Sequence, residues 1–177
     1  TKSEVIGWGH LKFENFKDFI DKNPSIKNVE LSNWGEMFLN PELKDIIRYS
    51  AEKNIALSAG NGVNLNSISE EMIECLVKYK FRCLRVSIDG ASNKTYKIYR
   101  RGGNFDRVIE NIKKINCYKK RYSSKHPKLI WQFIIFGHNE HELSLAKEMA
   151  KELDMDFKTK LNHTSSYSSI KNITLVE

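Results

Sequence analysis

The sequence predicts an α/β protein with a parallel sheet, folded as an open sheet or a partial (β/α) barrel. Three observations lead there. Short strand-like runs alternate with amphipathic helical segments, the order that β–α crossovers produce. Two strands end in polar, glycine-containing turns, at Asn33-Trp34-Gly35-Glu36 and at Asp89-Gly90. In parallel α/β proteins, ligands bind at the C-terminal ends of the strands. Finally, 177 residues suit one domain, whereas a closed eight-unit barrel takes about 250.

Each element has a local reason. Phe13, Phe16, Phe19 and Ile20 share one face of a helix that must stop before Pro24. Ile26 to Ser32 is the first strand. Asn40 is an N-cap with Pro41 at the first helical position, opening a helix that turns Leu43, Ile46 and Ile47 inward. Ile55 to Ser58 is a short strand, ended by Ala59-Gly60-Asn61-Gly62. Ser67 and Glu70 have capping-box spacing before a helix carrying Met72, Ile73, Leu76 and Val77.

The strand from Cys83 to Asp89 sends Leu84, Val86 and Ile88 one way and Arg85, Ser87 and Asp89 the other. Lys94 to Arg100 is a short helix, broken by Arg101-Gly102-Gly103. Phe105, Val108, Ile109, Ile112 and Ile115 mark the clearest amphipathic helix. Leu129 to Phe136 is a long apolar strand. Asn139 and Glu142 are spaced to cap a helix bearing Leu143, Ala146, Met149, Ala150 and Leu153. Met155 to Leu161 is the last strand. Residues 1–161 are thus expected to form the core, with 162–177, rich in Ser and Asn, a tail or the start of an extension.

Opposite the helix-facing residues stand Glu30, Ser32, Ser58, Arg85, Ser87, Asp89, Gln132, Lys158 and Lys160. A packed barrel interior is filled by Val, Ile and Leu, and unpaired buried charges cost too much to keep dry. This face is therefore expected to hold water or a polar ligand. The alternative is an open sheet with one poorly covered face. An amphipathic segment in every crossover argues against it.

Composition bounds the partners. The net charge is +7, with much of the excess in Lys113, Lys114, Lys119, Lys120, Arg121, Lys125 and Lys128. A solvated face is preferred over a nucleic-acid patch, because this run sits between a helix and the next strand, away from the strand C-terminal ends. No apolar run is long enough to span a membrane, and no secretory signal is visible. Cys75, Cys83 and Cys117 are three in number and widely spaced. They fit packing roles in a reducing cytoplasm, not a disulfide framework or a metal site.

At this point the motifs resemble, in order, those of radical S-adenosylmethionine (SAM) enzymes, of the kind joined to a SPASM-type auxiliary-cluster domain. Ser32-Asn33-Trp34-Gly35-Glu36 followed by Phe38-Leu39-Asn40-Pro41-Glu42-Leu43 resembles the family's Gly-Gly-Glu segment, with Trp34 where the pattern usually has Gly. Asn61-Gly62 resembles its Thr-Asn-Gly turn. Ser87-Ile88-Asp89-Gly90, Thr95-Tyr96 and Tyr99-Arg100-Arg101-Gly102-Gly103-Asn104-Phe105 resemble the strand-four segment, and Asn139 with Glu142 the start of the next helix. The resemblance spans Leu11 to Leu161.

The resemblance implies a partial parallel (β/α) barrel of the TIM-barrel kind. It implies SAM as cofactor, cleaved with electrons from a 4Fe–4S cluster to give a 5′-deoxyadenosyl radical. Ser32, Gly35, Glu36, Asn61, Ser87, Asp89 and Arg100 would form the cofactor site. Gly35 and Glu36 would meet the methionine ammonium by charge-assisted bonding. Ser87 and Asp89 would face the ribose or the methionyl carboxylate, and Arg100 would pair with that carboxylate. The Cys-x-x-x-Cys-x-x-Cys segment is absent from the 177 residues, so the barrel is expected to be truncated at its N-terminus. The cluster, and an electron donor, are then expected only for a longer parent protein acting on a small-molecule or peptide substrate. On this reading the chain alone is inactive. Two other readings stay open: a cluster-less module that binds SAM or another small molecule, and a basic nucleic-acid-binding domain.

Overall fold

The computed structural model describes residues 9–162 and 167–171. In chain order the elements are α1 (Phe13–Lys22), β1 (Asn28–Glu30), α2 (Leu43–Glu52), β2 (Ala56–Val63), α3 (Glu70–Lys78), β3 (Cys83–Ser87), α4 (Asn93–Tyr99), α5 (Phe105–Arg121), β4 (Lys128–Ile135), α6 (Leu143–Glu152) and β5 (Asp156–Leu161). Single 3-10 turns at Met37–Leu39 and Glu140–Glu142 precede α2 and α6. The expected tail falls mostly outside the described residues.

The five strands form one parallel sheet in the order β1-β2-β3-β4-β5. Each strand lies beside the next in sequence, so the order never reverses as it does in a doubly wound sheet. Such winding gives a partial barrel, with helices outside and a concave polar face inside.

Strand register fixes the two faces. Leu84, Val86, Leu129, Trp131 and Phe133 are buried on the convex side, under Ile73 and Leu76 of α3 and Val108, Ile112 and Ile115 of α5. Burying each such side chain contributes roughly 1.5–3 kcal/mol. In neighbouring rows of the other face, Arg85 pairs with Ile130 and Ser87 with Gln132. Gln132 pairs in turn with Lys158, and Ile134 with Lys160. The alternation expected for the Cys83–Asp89 segment is therefore the one observed.

Four local expectations are corrected. β2 does not end at Ser58 but runs through Gly60, Asn61 and Gly62 to Val63, because an irregularity between Ala59 and Val63 absorbs the turn-like residues. The cap of α3 is Ser69, whose hydroxyl accepts from the Met72 amide at 3.2 Å; Ser67 is not the cap. Phe19 is 50% exposed although Phe16 and Ile20 are buried, because α1 sits at the sheet edge and packs a narrow stripe against α2. Asn139 and Glu142 make no side-chain cap; both reach across to other strand ends, as described below. Asn40 does cap: its Oδ1 accepts from the Glu42 amide at 2.9 Å, although regular helix begins at Leu43.

Candidate functional site

The polar residues meet where β1 to β4 end. On β1, the Glu30 carboxylate accepts from the Ser32 hydroxyl at 2.6 Å, the Ser32 amide at 2.9 Å, the Ser58 hydroxyl at 3.0 Å and the Gly60 amide at 2.8 Å. Burial opposes its ionisation, but these donors together hold it below the usual carboxylate range. Ser32 Oγ in turn accepts from the Asn61 amide at 2.9 Å, and the Asn61 side chain donates to Asn33 at 2.7 Å. One carboxylate thus locks the ends of β1 and β2 together. Glu30 was no site candidate in the sequence. The signal was present in its alternation with Ser32, opposite a strand carrying Ser58 and Gly60.

Beyond Ser32 the chain turns through Gly35, at φ +70°, a left-handed conformation that favours glycine. Glu36 follows. Its carboxylate accepts from the Asn64 amide at 2.7 Å and weakly from the Phe38 amide at 3.4 Å. Burial nevertheless pushes it above the ordinary carboxylate range, against those two bonds and the nearby positive charge of Arg100. Trp34 is exposed. With Gly35, Glu36, His10 and Leu11 it lines a cleft of about 250 Å³, so its bulk leaves the turn open.

At the end of β3, Ser87 stands against β2. A Cβ on Gly62 would lie 2.5 Å from Ser87 Oγ, and Gly62 itself has φ +117°, so only glycine fits between them. Asp89 is wholly buried. One oxygen accepts from Arg100 Nε at 2.6 Å and the other from the Ile134 amide at 2.7 Å. Burial raises the Asp89 carboxyl above its ordinary value, and Arg100 pulls it back only in part. Asp89 therefore presents no surface of its own. The expectation that it faces a ligand directly is revised: it positions Arg100, whose side chain is 27% exposed.

The remaining supports were read as helix caps and are not. Asn139, fully buried, donates to the Asp89 carbonyl at 3.2 Å and the Ile134 carbonyl at 2.9 Å, and accepts from the Phe136 amide at 2.7 Å. Glu142 accepts from the Ala91 amide at 2.6 Å, Ser92 Oγ at 2.7 Å and Thr95 Oγ1 at 2.9 Å. Together they hold the β3–α4 turn against the end of β4. Gly90 completes it, since a Cβ there would meet the Tyr96 amide nitrogen at 2.7 Å.

Of the seven residues singled out in the sequence, Ser32 and Asn61 are hydrogen-bonded to each other, Asp89 is paired with Arg100, and Arg100 acts electrostatically on Glu36. Gly35 shapes the Glu36 turn, and Ser87 sits against Gly62 one strand over. The basic run lies at the other end of the sheet, where Lys119 pairs with Asp154 and Lys128 with Asp156.

The fold and the site define the class: a parallel partial (β/α) barrel whose polar groups gather at the strand C-terminal ends. The chain belongs to the Radical SAM superfamily, whose profile matches residues 8–150. Among solved structures it is similar to SuiB of Streptococcus suis, at TM-score 0.71 and 15% identity over 94% of this chain and 37% of that one. SuiB bound to S-adenosylmethionine gives the same TM-score and identity over 93% and 37%. The structure of anSMEcpe with bound AdoMet gives TM-score 0.64 and 15% identity over 92% and 45%. At that identity the likeness is one of fold, and the chain spans less than half the length of each of these proteins. Comparison with curated proteins gives no match.

Two groups follow from the superfamily, and the described residues fit them differently. The Glu36 carboxylate, the Arg100 guanidinium and the glycine-shaped turns suit the charged methionyl end of SAM. The thiols do not suit a 4Fe–4S cluster, which needs several thiolates brought together. Cys75 is buried in α3, where burial pushes its thiol up to about 11. Cys83 opens β3 at the opposite end of the strand from Asp89, and Cys117 is exposed on α5. Among the described residues no three His, Cys, Asp or Glu side chains are grouped to hold a metal ion. No described helix is long and apolar enough to cross a membrane.

Proposed function

We propose that this chain is the SAM-binding part of a radical SAM enzyme, with SAM held at the C-terminal ends of β1 to β4. The observation that carries the reading is Glu36: a largely desolvated carboxylate, raised above its ordinary value and without a cation in contact among the described residues. An ammonium placed against it favours its ionised form by a charge-assisted hydrogen bond. The methionyl end of SAM carries that ammonium and a carboxylate, and the second group falls to Arg100. Asp89 binds Arg100 through Nε, which leaves the terminal nitrogens of the guanidinium to donate to the methionyl carboxylate. Asn61 and Ser87 offer polar groups to the ribose.

Bound SAM would supply, in this superfamily, a 5′-deoxyadenosyl radical that abstracts hydrogen from a substrate, with one electron from a 4Fe–4S cluster cleaving it to methionine and that radical. What this chain's own residues do is narrower. They neutralise both charges of the methionyl group and hold it at the barrel mouth, with the polar concave face below left for a substrate.

The test is calorimetric titration of SAM into the chain. The Glu36→Ala variant is expected to bind about 10- to 150-fold more weakly, the loss of one charge-assisted bond, with its melting temperature little changed. Equal affinity in the two proteins, or no SAM binding by the parent chain, overturns the reading.

A further inference from the structure

We propose that the concave face of the barrel is an anion site, and that the substrate presented to SAM carries a carboxylate or phosphate group. The inference deepens the SAM-enzyme reading and, for the word substrate, rests on it.

The charges on this face do not balance. Glu30 is saturated by Ser32, Ser58 and Gly60. Asp89 is paired with Arg100, and Asp156 with Lys128 at 2.7 Å. Among the described residues, Arg85, Lys158 and Lys160 form no ion pair and no hydrogen bond. Every carboxylate that the strands place on this face already has its partners, and three cations are left over.

Arg85 adds a second and independent observation. Its Nε is buried and has no hydrogen-bond partner. A buried N–H left unsatisfied is costly, and native folds rarely keep one that has no use. The strand register sets the reach. Arg85 lies on β3 one row below Ser87, and Ser87, Gln132 and Lys158 share a row across β3, β4 and β5, with Lys160 one row above. Two strand spacings and the offset along the strands place the Lys158 backbone about 12 Å from that of Arg85, and Lys160 about 16 Å from it. Two long side chains span that distance when an anion lies between them. The planar guanidinium favours an oxyanion that can accept two parallel bonds, which carboxylate and phosphate both can. The buried Gln132 between them supplies a neutral polar wall.

The test uses the full chain with 15N-labelled arginine. Succinate, inorganic phosphate and chloride are titrated in turn at fixed ionic strength, and the Arg85 Nε–H resonance is followed, assigned by its loss in Arg85→Lys. Melting temperature with each anion is a second readout. Succinate or phosphate is expected to give a saturable shift that chloride does not. The anion bound more tightly identifies the substrate group. In the Lys158→Gln, Lys160→Gln double variant the affinity is expected to fall about tenfold or more, the loss of at least one charge-assisted bond. Both lysines are exposed, so that variant folds even if Arg85→Lys does not. No saturable shift, an equal response to chloride, or indifference to the lysine changes overturns the proposal. SAM titrated in the same samples separates the two readings. SAM binding without an anion response removes this inference alone, and an anion response without SAM binding removes the proposed function and the word substrate, leaving the anion site.

Discussion

Arg100 Nε donates to Asp89 Oδ2 at 2.6 Å, so a wholly buried carboxylate holds a partly exposed guanidinium. The pair joins the turn after β3 to the residue that follows α4. Because the other Asp89 oxygen accepts from the Ile134 amide, it also fixes Arg100 relative to β4. The direction of the guanidinium is set by strand geometry and does not depend on a flexible stem.

Removing this carboxylate therefore strands two donors. Asp89→Ala is expected to cost roughly 2–4 kcal/mol of folding stability, the sum of an unmet amide and an unpaired, partly hydrated cation. Asp89→Asn keeps an acceptor for the Ile134 amide and is expected to cost about 1–2 kcal/mol. Urea unfolding measures both. Equal costs would mean that the charge, and not the amide bond, carries the whole effect.

Gly90 and Gly62 are predicted to tolerate no methyl group. At Gly90 the new Cβ meets the Tyr96 backbone nitrogen at 2.7 Å, and at Gly62 it meets Ser87 Oγ at 2.5 Å with φ at +117°. Each substitution to Ala is expected to cost about 1–3 kcal/mol by overpacking. Gly35→Ala, at φ +70° with open space around the new methyl, carries only the left-handed backbone penalty of about 1–2 kcal/mol. Thermal unfolding of the three variants gives the ranking.

Glu36 makes a pH prediction. Burial raises its carboxyl in the folded chain, so between the ordinary value and the raised one the folded state holds a proton that the unfolded state has lost. Stability from this group is complete below the ordinary carboxylate range and is lost as pH rises through the folded value. Glu36→Gln removes that loss. The variant is expected to be as stable as the parent or more so at neutral pH, and its stability to fall less with rising pH. Asp89 shifts in the same direction, so part of the slope stays. Thermal unfolding from pH 4 to 8 measures it. A Gln variant less stable at neutral pH would mean that Glu36 serves the fold.

Much of this architecture was legible in the sequence. The Leu84, Val86, Ile88 set reads as buried because β3 has a dry side and a wet side, and its period of two survives in a single strand. β2 was harder: Gly60 and Gly62 carry the chemistry of a turn, yet β3 pairs with Ala59 before them and Val63 after them, and no local signal reports a neighbour. Asn139 and Glu142 were misread for the same reason. Spacing suited to a helix cap is also spacing suited to reaching two strand ends, and only the tertiary fold decides between Leu143 of their own helix and Ala91 across the sheet. Asp89 was found but its bond to Arg100 was not, since a sequence does not show which side chain the fold brings against it. Glu30 was visible as polar and was passed over because a single carboxylate on a strand carries no motif.

The central claim is that Glu36 recognises the methionyl ammonium, and a double cycle on ligand and protein tests it most directly. SAM and 5′-methylthioadenosine, which lacks the amino-acid end, are titrated calorimetrically into the parent chain and into Glu36→Gln. The parent is expected to prefer SAM, and the Gln variant to lose that preference by about 1.5–3 kcal/mol, with 5′-methylthioadenosine binding both proteins equally. A coupling near zero, with SAM and 5′-methylthioadenosine weakened alike or not at all, would contradict the account.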